Sequence, residues 1–229
     1  MYRSRVQHYS METEIRNLYV QTSRTARIAL LGSADAQTHD LWIVLHGYRQ
    51  LAPFFVRKFV PLLRPGVCIA APEGLSRFYL DGYTGRVGAS WMTSEDRLYE
   101  IADQIAYLDR CYDLLVGTMP GARVHVLGFS QGVATAWRWL AASTRTPDSL
   151  VLWAGSPPPE RDPAFETRLG ALRVAALYGD ADAFIDPDKA QTLLGDLRDR
   201  LPHLVHYRFA GGHDIYPLPL AWLAQAVAP

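Results

Sequence analysis

Residues 124–132 constrain this chain more than any other stretch. An apolar run, Val124-His125-Val126-Leu127, reads as a buried strand. It leads into Gly128-Phe129-Ser130-Gln131-Gly132, and Val133 to Leu140 then reads as a helix. The five-residue segment matches G-x-S-x-G, which between a strand and a helix forms a sharp turn with the serine at its apex. A side chain two places before or after the serine would crowd that turn, so both places are glycine. The next backbone N–H, that of Gln131, lies at a helix N-terminus and faces any negative charge that develops there.

The rest of the chain supplies a matching frame. Apolar runs of strand formers recur at 41–45, 67–71, 149–154, 174–178 and 204–209. They alternate with helical patterns at 53–63, 93–116, 133–142, 164–170, 187–200 and 218–227. In the 93–116 pattern Thr93 caps the start, and Leu98, Ile101, Ala102, Ile105, Leu108, Tyr112 and Leu115 form one apolar stripe. Continuous apolar strands are covered on both faces. The alternation therefore predicts an α/β fold with a mostly parallel central sheet and helices on both faces. Short extended pieces within 5–31, clearest at 19–22 and 26–31, predict N-terminal antiparallel edge strands. Residues 72–93 read as a long irregular connection, and a connection of that length is usually functional. With 229 residues and neither a linker nor a repeat, one domain spanning 1–229 is expected.

Charge narrows the function classes. The 23 basic and 23 acidic residues cancel and no basic stripe stands out, so no nucleic-acid partner is expected. The two cysteines, Cys68 and Cys111, fall in apolar surroundings and read as buried thiols. No run reaches the roughly 18 apolar residues of a membrane span, and the first residues lack a secretory apolar region. No membrane span and a cytoplasmic location are the expectations.

A serine needs a base to take its proton and an acid to hold that base. On a strand–turn–helix serine the partners follow along the chain as acid, then histidine. They leave the carboxyl ends of later strands. After the 174–178 strand come Asp180, Asp182 and Asp186. Asp182 is the preferred acid, since Asp180 suits the turn itself and Asp186, before Pro187, suits a helix cap. After the last strand comes His213, behind Gly211-Gly212, as the preferred base; Asp214 reads as structural. The second donor for an oxyanion, beside the N–H of Gln131, is the N–H of Tyr48 in His46-Gly47-Tyr48-Arg49, with His46 bracing that loop. Phe78, Tyr79, Tyr83, Trp91 and Tyr216 are candidates to line an apolar substrate pocket. His203 and His206 fall on different faces, so no metal site is expected there.

In this order the segments Leu45-His46-Gly47, Ala71-Pro72, Ser90-Trp91, Gly128-Phe129-Ser130-Gln131-Gly132, Gly179-Asp180-Ala181-Asp182 and Gly212-His213 resemble the phospholipase/carboxylesterase family of α/β-hydrolases. That family includes acyl-protein thioesterases. The resemblance implies Ser130 as nucleophile, Asp182 as acid and His213 as base, with no cofactor and no large lid domain. It implies a serine hydrolase acting on small-molecule esters or thioesters. An acyltransferase using the same residues and a non-catalytic binding protein remain alternatives at this stage, and a homodimer is left open. Family members usually read His-Gly-x-Gly, and here Arg49 stands in the fourth place.

Overall fold

The computed structural model describes residues 15–160, 162–201 and 203–227. In chain order the elements are β1 (Ile28–Leu31), β2 (Asp40–Leu45), α1 (Ala52–Phe55) continued by a 3₁₀ helix (Val56–Leu62), β3 (Val67–Pro72), β4 (Ser76–Tyr79) and β5 (Val87–Ser90). They continue with α2 (Arg97–Thr118), β6 (Arg123–Phe129), α3 (Gln131–Ala142), β7 (Ser149–Trp153), α4 (Pro163–Leu169), β8 (Arg173–Gly179), α5 (Pro187–Arg200), β9 (Val205–Phe209) and α6 (Pro217–Ala226).

Seven strands form one sheet in the order β1-β3-β2-β6-β7-β8-β9. All neighbours are parallel except β1, which runs antiparallel to β3 at the edge. Every residue of β2, β3 and β7 is buried. The alternation of side chains across a strand divides the core in two. Leu41, Ile43, Leu45, Val126, Leu150, Leu152 and Ala176 pack on one face against Leu108 and Leu115 of α2, Trp137 of α3 and Leu194 of α5. Trp42, Val44, Leu127, Phe129, Val151, Trp153 and Leu177 pack on the other against Phe55, Phe59 and Leu220 and Leu223 of α6.

The order of strands decides where a site can form. The chain leaves β2 for β3 on one side and later returns to place β6 on the other side of β2. Loops leaving β2 and β6 therefore diverge and open a crevice at the carboxyl ends of the strands, where open parallel sheets bind ligands. The 46–51 loop and the 128–132 turn both lie there.

Several local expectations change. The 53–63 helix is α-helical for one turn and then 3₁₀, because Pro61 has no N–H to donate and its ring would meet the carbonyl one turn back in an α-helix. The 72–93 connection contains a hairpin: β4 pairs antiparallel with β5, Phe78 opposite Gly88, with Gly82 and Gly85 at positive φ in its turn. Helix α2 begins at Arg97, after Asp96 at φ 46°, and not at Thr93. The Thr93 N–H and hydroxyl turn instead to Glu100, at 2.5 and 3.2 Å. Of the N-terminal pieces, 28–31 forms β1, whereas 19–22 is irregular and exposed, with Tyr19 lying against the start of α2. There Tyr19 stacks on Tyr99 at 4.4 Å and donates to Asp96. The part of the 5–31 expectation before residue 15 lies outside the described residues. Cys68 and Cys111 are buried free thiols, and burial raises the pKa of each to about 11. No described helix is long and apolar enough to cross a membrane.

Candidate active site

Ser130 sits between β6 and α3 at φ 55°, ψ −117°, a conformation that a residue with a side chain adopts only under constraint. The constraints are visible. The Ser130 N–H donates to the carbonyl of Trp153 at 2.9 Å, pinning the turn to β7. A Cβ on Gly128 would overlap the carbonyl oxygen of Gly132, and one on Gly132 would overlap that of Leu45. Only glycine permits strand, turn and helix to approach this closely. As the first residue of α3, Gln131 holds an N–H with no partner inside the helix. Its side chain ties the turn to the end of the hairpin: Oε1 accepts from the Trp91 N–H at 3.1 Å, and Nε2 donates to the Met92 carbonyl at 2.9 Å.

Asp182 and His213 come together from the loops after β8 and β9. The His213 Nδ1–H donates to Asp182 Oδ2 at 2.7 Å. The Asp182 side chain has no exposed surface, and its other oxygen accepts from the N–H groups of Phe184 and Ile185 at 2.8 and 3.0 Å. Those bonds fix the carboxylate, and the carboxylate fixes the imidazole with Nε2 as its unprotonated nitrogen. The ring lies beside Phe129 and edge-on to Phe184, with centroids at 4.9 and 4.7 Å. Phe129 precedes Ser130, so the histidine stands beside the serine turn. Among the described residues, the Ser130 hydroxyl makes no hydrogen bond to His213; such links often tighten only around substrate.

Of the two other acids, Asp186 does what its position suggested, whereas Asp180 turns to Arg208 on β9 and not to the backbone of its own turn. Asp186 caps α5 by accepting from the Lys189 N–H at 2.8 Å. Asp180 is exposed and pairs with Arg208 at 2.6 Å. Asp214 pairs with Lys58.

The loop after β2 lies against Ser130: a Cβ on Gly47 would stand 3.1 Å from the serine Cβ. His46 braces this loop from within. Its Nδ1–H donates to the Gly47 carbonyl at 2.7 Å, and its Nε2 accepts from the Gly74 N–H at 2.9 Å. Burial lowers its pKa to about 4, so it is a neutral strut. Gln50 closes the loop by accepting from the Gly47 N–H at 2.8 Å. Beneath lies Glu73, which accepts from Arg27, Arg77 and the Ala52 N–H. Burial works to raise its pKa, but these three donors together hold it below the usual carboxylate range. The carboxylate thereby joins the N-terminal segment, the hairpin and the start of α1 around the loop.

The chain resembles three solved structures over nearly its whole length. Acyl-protein thioesterase 2 of Zea mays is 19% identical with a TM-score of 0.66, over 89% of this chain and all of that one. Esterase PE8 is 18% identical with a TM-score of 0.63, over 89% of this chain and all of that one. A phospholipase/carboxylesterase from Dyadobacter fermentans is 14% identical with a TM-score of 0.59, over 90% and 98%. The chain has the α/β-hydrolase fold. No family model matches it. No curated protein matches it.

On this hydrolase fold the aromatic candidates separate. Trp91 is only 1% exposed: it stacks on His46 at 4.9 Å and donates to the His46 carbonyl at 2.8 Å. It is a pillar under the loop and presents no surface to a substrate. Tyr83 is 94% exposed at the hairpin turn, where it lines nothing. Tyr216 accepts from the Gly212 N–H at 2.9 Å and so positions the backbone before His213. Tyr79 is half-exposed, and Phe78 stacks on Tyr48 at 5.4 Å to make one apolar wall beside the crevice. Phe184, 70% exposed and edge-on to His213, is a further wall that was not among the sequence candidates. Its signal was its place two residues after Asp182. Among the described residues no cluster of side chains suited to a metal is present.

Proposed function

We propose that the protein is a serine hydrolase of the phospholipase/carboxylesterase family, cleaving carboxylic esters or thioesters of small to medium acyl groups. The observation that carries this reading is the pairing of a buried, fixed Asp182 with His213 beside a serine held on a strained turn. His213 Nε2 takes the Ser130 proton as the serine oxygen attacks the substrate carbonyl carbon. Asp182 keeps Nδ1 protonated and stabilises the imidazolium. The carbonyl oxygen becomes an oxyanion that receives the N–H groups of Tyr48 and Gln131. The C–O or C–S bond then breaks, and His213 returns the proton to the leaving oxygen or sulfur. A water gives its proton to His213 and attacks the acyl-serine, releasing the carboxylic acid and restoring Ser130.

Phe78 and Tyr48 on one side and Phe184 on the other give the mouth an apolar character that suits uncharged parts of an ester. The resemblance to an acyl-protein thioesterase and to esterases over nearly the full chain supports the same class.

The test is covalent labelling. A fluorophosphonate probe reacts only with a serine that its base has activated. Intact-mass measurement should show one adduct on the wild-type protein, mapping to Ser130, and none on Ser130→Ala. A folded wild-type protein that takes no adduct would overturn the reading.

A further inference from the structure

Arg49 is one of four residues other than glycine with positive φ among those described, at φ 70°. The left-handed region costs a residue with a Cβ energy that glycine does not spend, so an arginine there needs a reason. The backbone around it is held firmly. Its N–H donates to the Ala89 carbonyl at 2.9 Å, and the Gln50 carbonyl accepts from the Ala89 N–H at 3.3 Å. β5 can come this close because position 88 is glycine, where a Cβ would lie 2.6 Å from the Arg49 carbonyl oxygen. The loop thus forces residue 49 outward from the sheet, one residue beyond the Tyr48 N–H.

The side chain it carries there is exposed, and among the described residues no carboxylate pairs with it. The carboxylates of the surrounding elements are engaged elsewhere: Glu73 by Arg27 and Arg77, Asp81 by Arg86, and Asp214 by Lys58. A strained backbone therefore carries an exposed, unpaired guanidinium on the loop after β2, one residue beyond the Tyr48 N–H proposed to receive the oxyanion. A planar guanidinium is suited to bind a carboxylate with two parallel hydrogen bonds.

Topology says which part of the substrate it meets. The loop after β2 lies on one side of the Ser130 turn, whereas Asp182 and His213 come from loops after β8 and β9 on the other. The leaving group must depart toward His213, which protonates it. Arg49 stands on the opposite side, with the acyl part. We infer that Arg49 selects acyl groups bearing a terminal carboxylate, making monoesters or monothioesters of short dicarboxylic acids the preferred substrate class. This rests on the serine-hydrolase reading above and narrows its substrate.

The experiment compares three aryl esters: the p-nitrophenyl monoester of glutarate, neutral p-nitrophenyl pentanoate, and p-carboxyphenyl butyrate, whose carboxylate sits on the leaving group. For the wild-type protein, kcat/KM on the glutarate monoester should exceed that on the pentanoate ester by about tenfold at low salt, and the ratio should fall as salt screens the pair. Arg49→Gln should reduce that ratio to about one, Arg49→Glu should invert it, and Arg49→Lys should keep part of it. Arg49→Gly relieves the backbone strain, so it folds at least as well as the wild type, yet it too should lose the preference. A ratio unchanged in the Gln and Gly variants would overturn the inference. So would a preference confined to the leaving-group carboxylate. Hydrolysis of the neutral ester together with phosphonate labelling, but without selectivity for the acyl carboxylate, would remove this inference and leave the hydrolase standing. Absence of both would remove the hydrolase reading itself.

Discussion

Two Ser–His–Asp sets lie at opposite ends of the same sheet, and their surroundings differ although their residues do not. At the carboxyl end are Ser130, His213 and Asp182. At the amino end, His125 Nδ1 accepts from the Ser149 hydroxyl at 2.8 Å and its Nε2–H donates to Asp40 at 3.3 Å. The second set is the better hydrogen-bonded of the two. Yet Ser149 is 0% exposed and begins a regular strand, and Trp42 stacks on the His125 ring at 4.6 Å. The cavity beside it holds about 30 Å³, enough for a water molecule and far too little for an ester. Ser149 is not among the described residues with positive φ, so no strained turn lifts it. On the proposed reading, a histidine between a serine and an aspartate does not suffice for catalysis, and what separates the two ends is access and the strained serine turn at a helix start.

The largest expected effect sharpens that contrast. Ser130→Ala should lower kcat/KM at least ~10⁴-fold, and Asp182→Asn, which frees the imidazole to adopt the wrong tautomer, should lower kcat by ~10³–10⁴-fold. Steady-state kinetics on an ester turned over by the wild type would check both, with circular dichroism confirming the fold. Activity within tenfold of wild type in Ser130→Ala would erase the distinction between the two ends.

The next effect concerns the buried histidines. His46, at the carboxyl end, has its pKa lowered to about 4 by burial, and burial likewise lowers that of His125, with Asp40 opposing. A histidine whose folded pKa lies below its unfolded value binds its proton more readily when unfolded. Its contribution is fully present above about pH 6.5 and disappears as the pH falls toward 4. For His46 the loss between pH 7 and pH 4 is about 3 kcal/mol. Urea unfolding at the two pH values should show wild type losing about that much more stability than His46→Asn. Equal losses would mean that His46 is not held neutral.

How the two ends came to be read from sequence differs too. The carboxyl-end residues were legible because each follows an apolar strand run and the chain order of acid and base is fixed by the sheet. Asp182 and His213 do meet, at 2.7 Å. The amino-end set was not legible. His125 interrupts an apolar run, and nothing local says that it lies opposite Ser149 on β7 and Trp42 on β2; that depends on register across strands. The same limit hid the hairpin. Phe78 and Tyr79 followed by glycines look like a loop until β4 pairs with β5. It also made Trp91 look like a pocket residue, since only tertiary packing stacks it on His46.

Asp40 offers the next test. It accepts from Arg123 at 2.6 Å and from Arg64 at 2.9 Å besides meeting His125. Burial works to raise its pKa, but His125 and Arg123 outweigh that and hold it below the ordinary value. Asp40→Asn should cost about 2–3 kcal/mol. This is less than the removal of one partner from a fully buried pair, because both arginines are partly in water. Denaturant midpoints would measure it, and the surviving folded protein should hydrolyse ester normally.

Ser149→Ala is the smallest effect and bears most directly on the comparison. It removes the hydroxyl that donates to His125 Nδ1, leaving a buried acceptor unpaired at a cost of about 1 kcal/mol. In a chain of this size that lowers the melting temperature by roughly 2–4 °C. Phosphonate labelling and ester turnover should stay within twofold of wild type, since the change lies at the far end of the sheet from the strained turn. Calorimetry and labelling of the same preparation separate the outcomes. A lower melting temperature with full labelling assigns the amino-end set to stability alone. Lost labelling in folded Ser149→Ala, with labelling retained in Ser130→Ala, would exchange the roles of the two ends and show that access had been misjudged at both.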